Sequence, residues 1–183
     1  MPLSTIGANQ IASGAVDTTQ LASNAVTNAK LASGAVTAGD LPSGTVLQIV
    51  SNSYSTSTSI TSNTKGSGTS TGLTATITPA STSNKLLLTG TVHFGTGYSS
   101  DPNFSLEIHD GSSIIYTDNG SAYYFNGDGN EAYSTRMPIH AYINAPSTSS
   151  TTYTVRAFKS SSTSLTAQSN SNPSVLSITE IAG

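Results

Sequence analysis

The sequence contains no cysteine, which excludes a disulfide scaffold, thiolate zinc sites and thiol catalysis together. Charge is scarce: 6 basic and 9 acidic residues make up 8% of the chain, against roughly 25% in an ordinary soluble domain. Six scattered cations under a net charge of −3 cannot form the phosphate-neutralising stripe that a nucleic-acid partner needs. No apolar run reaches the ~18–20 residues of a membrane span. Met1-Pro2-Leu3-Ser4 also lacks the basic start of a signal peptide. The helix formers Glu, Lys and Leu are few.

What fills the space is hydroxyl. The chain has 33 Ser and 28 Thr, together 61 of 183 residues. This composition does not imply disorder, which usually couples low hydrophobicity to high charge. Here 35% of residues are apolar, and the Ile, Val, Leu and Tyr residues fall in short bursts of strand type. An ordered β-rich protein with a Ser/Thr-covered surface is expected.

An internal repeat dominates the N-terminal part. Residues 11–50 read IASGAVDTTQ, LASNAVTNAK, LASGAVTAGD, LPSGTVLQIV, a decad whose last copy degrades. Within it a large aliphatic residue recurs every fifth position: Ile6, Ile11, Val16, Leu21, Val26, Leu31, Val36, Leu41 and Val46. Five matches neither basic period. On a helix at ~100° per residue successive aliphatics never form a stripe, and on a flat strand an odd spacing alternates faces. The backbone must therefore turn within each pentad, and Gly14, Gly34 and Gly44, with Asn24 at the equivalent position, permit it. Burying one aliphatic side chain yields about 1.5–3 kcal/mol, whereas fixing five backbones costs about 1–2 kcal/mol each. Residues 1–46 are accordingly expected to form an extended stalk or docking arm, ordered when several copies share an axis or when it lies on another protein.

Residues 47–183 read as a different object. Strands are predicted over 45–50, 72–79, 85–94, 104–110, 113–117, 132–144, 151–160, 164–169 and 174–181, with turn clusters between them. Residues 72–79 alternate Leu73, Ala75 and Ile77 with threonines, as a half-buried strand does. The continuous apolar start of 85–94 marks a central strand, and Asp110-Gly111 is a hairpin signal. Nine short strands at this spacing predict an all-β domain, an antiparallel β-sandwich or jelly roll.

The words GTVLQIVSNSYSTSTS, TGLTATITPASTSNKLLLTGTV, TTYTVRAFKSSST and SVLSITEIAG resemble the C-terminal domains of tailed-bacteriophage fibre proteins. Those domains commonly carry a TGLTATITPSSTSSKILV-like block and a closing SITLMEIA-like strand. The decads are similar to the GAVTTAKIADGAVT repeats that often precede such domains. The resemblance covers nearly the whole chain and implies a homotrimeric virion protein that contacts the host surface through a glycan or a protein. The chain departs from long tail fibres in lacking a recognisable tail-attachment segment. Its attachment to tail, capsid or another fibre stays open, and a capsid decoration protein whose arm staples capsid subunits is the second reading. The absence of an export signal fits assembly in the host cytoplasm and release by lysis.

Catalytic and metal chemistry find little support. His93, His109 and His140 show neither HxH nor HExxH spacing, so no metal site, cofactor or enzymatic activity is expected. Six of nine acidic residues lie between Asp101 and Glu131. Asn126-Gly127-Asp128-Gly129-Asn130-Glu131 is loosely like a calcium loop, yet the full EF-hand pattern is absent and a solvated turn is the simpler reading. A glycosidase needs two carboxylates flanking a groove; Glu107, Asp110 and Glu131 are the available groups. The segment 117–133 is better placed for function: Tyr123, Tyr124, Phe125 and Tyr133 lie among Asn126, Asp128 and glycines in what should be the longest loop. Aromatic faces beside hydrogen-bonding groups suit carbohydrate or protein surfaces, although Tyr123 and Phe125 could equally point inward from a strand.

Overall fold

The computed structural model describes residues 12–17, 19, 21–96, 104–117, 134–159 and 164–183. The chain divides into two compact units, Met1–Asp40 and Leu41–Gly183.

In the first unit the decads over 21–30 and 31–40 each contain two turns, and the first of these turns is also described at 12–15. Ala15 N donates to Ala12 O (3.0 Å), Ala25 N to Ala22 O (2.9 Å) and Ala35 N to Ala32 O (3.0 Å). The residue before each donor has positive φ: Gly14 at 77°, Asn24 at 63° and Gly34 at 77°, as a type II turn requires at its third position. The other half of the decad closes a 3₁₀ turn at Asn28–Lys30 and again at Ala38–Asp40. Asp40 reaches back to cap its turn, its Oδ2 accepting from both the backbone N–H and the hydroxyl of Thr37 (2.8 Å each). One turn per pentad thus satisfies the backbone locally and returns an aliphatic side chain at each fifth residue.

In the second unit the described strands are β1 (Val46–Tyr54), β2 (Thr58–Ile60), β3 (Thr69–Ile77), β4 (Lys85–Thr96), β5 (Phe104–His109), β6 (Ile114–Thr117), β7 (Ser134–Asn144), β8 (Thr151–Lys159), β9 (Leu165–Ala167) and β10 (Ser174–Ile181). All pairings are antiparallel. They build two sheets: β1-β10-β4-β9-β2 with β7 on the other side of β4 (sheet A), and β3-β8-β5-β6 (sheet B). The architecture is an antiparallel β-sandwich. β4 is its central strand, flanked along its full length by β7 and by β10 and β9 in succession.

The short strands have a simple explanation. β9 and β10 lie on the same side of β4, opposite 94–96 and 85–91, so they are one lane interrupted at 168–173. β1 and β2 follow this lane on its outer side and break at 55–57. Gln168 fastens both breaks: its backbone has φ 52°, its N–H donates to His93 O (2.8 Å), and its carbonyl accepts from Ser57 Oγ (2.8 Å). β2, with Ile60 as its one aliphatic residue, carries no apolar alternation that would have announced it.

The core lies between the sheets. Leu73, Ala75 and Ile77 from β3 and Tyr153, Val155 and Ala157 from β8 face Leu86, Leu88, Val92 and Phe94 from β4, with Leu176 and Ile178 from β10. Phe94 and Phe104 meet with ring centroids 4.8 Å apart at a 55° tilt, tying the two sheets together.

Candidate functional site

The strand ends sort the second unit into two poles. At one lie residues 41–45, where the chain joins the sheet, together with the connections 78–84, 110–113 and 145–150 and Gly183. Gly44 N donates to Ala182 O and Ala182 N to Thr45 O, both at 2.8 Å, closing that end of β1 and β10. At the opposite pole lie Thr96, Phe104, Lys159 and Leu165: Thr96 pairs with Leu165, and Phe104 with Lys159. The chain from Thr117 to Ser134 leaves and returns on this side, since Ser134 pairs with Gly95. The expected contact residues Tyr123, Tyr124, Phe125, Asn126, Asp128 and Tyr133 lie outside the described residues, as does the acidic run through Glu131.

Buried polar side chains fix the connections at both poles. At the far pole Glu107 is fully buried. Its Oε1 accepts from Gly66 N and its Oε2 from Gly68 N (3.1 Å), with His109 Nε2 at 3.2 Å. The carboxylate thereby anchors the 61–68 connection, and its lone pairs are spent on backbone rather than offered to a groove. Asp110 is equally committed: its Oδ1 accepts from Ser113 N (2.7 Å) and Ser112 N (3.0 Å). The Ser113 N–H chiefly holds the half-buried Asp110 carboxyl below its ordinary range. Neither residue is arranged as half of a glycosidase pair, and among the described residues no three His, Asp or Glu side chains gather as a metal would require.

His93 belongs to a second buried network. Its Nε2 meets Ser134 Oγ at 2.7 Å, while its backbone N–H donates to Ser174 Oγ (3.0 Å). That hydroxyl is free to donate to the Gln168 side-chain oxygen (3.0 Å), whose amide nitrogen then reaches Thr71 O (3.0 Å). Burial, and then the Arg136 guanidinium, hold His93 below its ordinary value, so the ring is neutral at neutral pH. At the other pole Glu180 is fully buried and accepts from Gln48 Nε2 (2.6 Å), Ala80 N (2.7 Å) and Asn84 Nδ2 (2.6 Å). Burial alone would raise its pKa; the hydrogen bonds from Asn84, Gln48, Ala80 and Ser81 outweigh it and hold the carboxyl below its ordinary value. These groups build the scaffold; periodicity puts Ser174 and Glu180 on the inward face with Leu176 and Ile178, but their partners come from other strands and connections that only the fold brings near.

The pentad aliphatics present the opposite picture. Ile6 and Ile11 lie outside the described residues. Val16, Leu21, Val26, Leu31, Val36, Leu41 and Val46 are all exposed, from 37% at Leu41 to 53% at Val36. Three further exposed apolar side chains escaped the sequence reading, Ile49 at 63%, Tyr142 at 58% and Ile114 at 41%. Their strands were legible, but which residues share their face depends on register. Among the described residues no helix is long and apolar enough to cross a membrane.

The class of protein this defines is an antiparallel β-sandwich carrying an N-terminal turn repeat. No protein-family model and no curated protein sequence matches the chain. Among solved structures it is similar to dimeric latent PorU from Porphyromonas gingivalis, at 12% identity and TM-score 0.37, over 80% of this chain and 14% of that one. It is also similar to structures of infectious bursal disease virus. With the Gt strain the identity is 15% and the TM-score 0.37, over 77% of this chain and 39% of that one. With the Gx strain they are 13% and 0.37, over 74% and 37%. The chain thus spans well under half the length of each of these structures.

Proposed function

We propose that this chain is a non-enzymatic structural protein of a tailed-phage virion, a homotrimeric fibre or spike. In this reading the repeat unit packs copy against copy and the β-sandwich is displayed toward the host surface. The observation that carries it is the run of exposed aliphatic side chains at every fifth residue of the repeat. Its described turns each close one backbone hydrogen bond yet leave those side chains about half exposed, so neighbouring polypeptides are the natural cover. Two further features support display. The chain joins the sandwich at one pole while the longest connection between described strands, 118–133, starts and ends at the other, and loops on β scaffolds are where binding residues sit. The hydroxyl-rich, weakly charged surface stays soluble without a strong field, and weak contacts gain avidity in three copies.

Sedimentation of the full chain tests the assembly: a trimer is expected, converted to monomer when Val16, Leu21, Val26 and Leu31 are changed together to Ser. A monomeric wild-type chain refutes the proposal. Stripping the protein from particles tests the role. Loss of adsorption, reproduced by Tyr124→Ala with Tyr133→Ala, is expected of a fibre. Loss of capsid strength with adsorption intact would instead assign the protein to decoration of the head.

A further inference from the structure

The outer face of sheet A is ordered by register into four rows running β1, β10, β4, β7. Nearest the point where the chain joins the sheet is Val46–Ile181–Lys85–Asn144, followed by Ile49–Thr179–Leu87–Tyr142. Next come Ser51–Ser177–Thr89–His140 and Ser53–Val175–Thr91–Pro138. Five of the eight positions in the first two rows are large and apolar: Val46, Ile181, Ile49, Leu87 and Tyr142. The third row is hydroxylic, with Ser51 Oγ and Ser177 Oγ bonded at 2.8 Å. The outer face of sheet B follows the hydroxyl pattern too, Thr76 facing Thr152 and Thr74 facing Thr154. One pole of the outer face of sheet A is therefore its most apolar part, among described strands whose outward positions are mostly Ser and Thr. The single charge in those rows, Lys85, donates to Asn144 Oδ1 beside it.

We propose that these two rows are the surface through which neighbouring copies of this chain pack their sandwiches together, continuing the aliphatic series of the repeat into the β unit. This rests on the homo-oligomeric reading above. The occupant is argued from continuity: Val46 is at once the last member of the every-fifth-residue series and the first member of the apolar rows. A copy packed against this one at Leu41 and Val46 brings its own Ile49 alongside three strand residues later, about 10 Å on. The exposed side chains Ile49 and Tyr142 then lose water together with Val46, while the hydroxyl rows beyond stay wet.

Because the chain lacks cysteine, Ile49→Cys and Tyr142→Cys are single-thiol variants at exposed positions that leave the fold intact. Treated with a short bis-maleimide, each alone and the two mixed, the full chain is expected to yield covalent dimers, whereas Thr152→Cys on the outer face of sheet B is not. The double variant Ile49→Lys/Tyr142→Lys is expected to raise the dissociation constant of the oligomer about tenfold or more, the scale of losing a well-packed interface anchor. If wild-type chain forms oligomers that the repeat substitutions dissociate, while the cysteines stay unlinked and the lysine variant associates normally, the sheet surface is refuted and the repeat-driven assembly stands. If wild-type chain is monomeric, both fall.

Discussion

The repeat unit and the β-sandwich both use regularly spaced aliphatic side chains, with opposite results. In the sandwich Leu86, Leu88, Leu176 and Ile178 recur at alternate positions and are wholly withdrawn from water; in the repeat Val16, Leu21, Val26 and Leu31 recur at every fifth position and stay about half exposed. The spacing decides this. A period of two puts a strand's apolar side chains on one face, and two such sheets can cover each other within one chain. A period of five built from alternating turn types gives each described turn its own hydrogen bond and leaves its aliphatic side chain about half exposed. The first pattern buries its side chains within one chain; in the proposed reading the second is covered by a neighbouring copy. Low charge sharpens the contrast, since almost no ionic groups compete with burial in either unit.

Truncation on either side of this divide is the most direct way to break the comparison. Phe94→Ala removes a fully buried ring stacked on Phe104 and is expected to lower the unfolding free energy by about 3–5 kcal/mol. Leu31→Ala, made in dilute monomeric chain, is expected to move it by no more than about 0.5 kcal/mol, because Leu31 is already in water. Denaturant titration of both checks this. A cost for Leu31→Ala of core size in a monomer would mean that the repeat folds on its own apolar contacts, and the contrast between the units would disappear.

A smaller effect separates the units by pH. Glu180 is held below its ordinary value of 4.5, so its contribution is complete above that pH and is lost as pH falls through the folded value. His93 is held below its ordinary value of 6.5; the unfolded chain therefore takes up the proton first, and stability again falls on acidification, beginning near 6.5. The sandwich should weaken in two steps between neutral and acid pH. His93→Gln is expected to remove the upper step and Glu180→Gln the lower. At neutral pH Glu180→Gln should cost about 1.5–3 kcal/mol, the worth of a hydrogen bond to a charged group. The turns over 21–35 contain no titrating acid or histidine, so amide exchange there should show neither step, whereas the turn that Asp40 caps at Thr37 should loosen in acid on its own. Thermal melts from pH 2 to 8 decide the matter: a profile with no loss below pH 4.5 that Glu180→Gln removes would show that the hydrogen bonds around Glu180 do not carry the stability assigned to them.

The pattern of what could be read in advance follows the same physics. Strand 72–79 was legible because apolar alternation is the direct imprint of a two-layer core, 85–94 because its continuous apolar start marks a central strand, and Asp110-Gly111 marked its turn because Gly111 takes φ 99°. The positive-φ role of Gly14, Asn24 and Gly34 was legible for the same reason. β2 was not, since Thr58-Ser59-Ile60 is defined by its neighbour β9 rather than by its own composition. Nor were the roles of Glu107, Glu180 and Gln168, which depend on partners 39 to 132 residues away, or on a backbone break, that only the folded register brings together. The apolar rows on sheet A share that origin: Ile49 and Tyr142 are ordinary strand residues until β1, β10, β4 and β7 are aligned.

The finest test lies within the repeat. Asn24 stands at φ 63° where the sister decads have Gly14 and Gly34 at φ 77°, and Ala25 N still donates to Ala22 O at 2.9 Å. Asparagine tolerates this left-handed region better than other residues with a side chain, at some steric cost that glycine does not incur. Asn24→Gly should therefore leave the turn unchanged. Asn24→Val, with a branched Cβ, should open it at a cost of about 1–2 kcal/mol. The readout is the exchange rate of the Ala25 amide, with Ala15 and Ala35 as internal controls. Faster exchange at Ala25 alone is expected, because each turn closes on its own three-residue hydrogen bond. Simultaneous acceleration at Ala35 in a monomeric chain would show that neighbouring decads support one another, and the repeat would then be a cooperative fold in its own right, much closer to the sandwich than the exposure of its aliphatics implies.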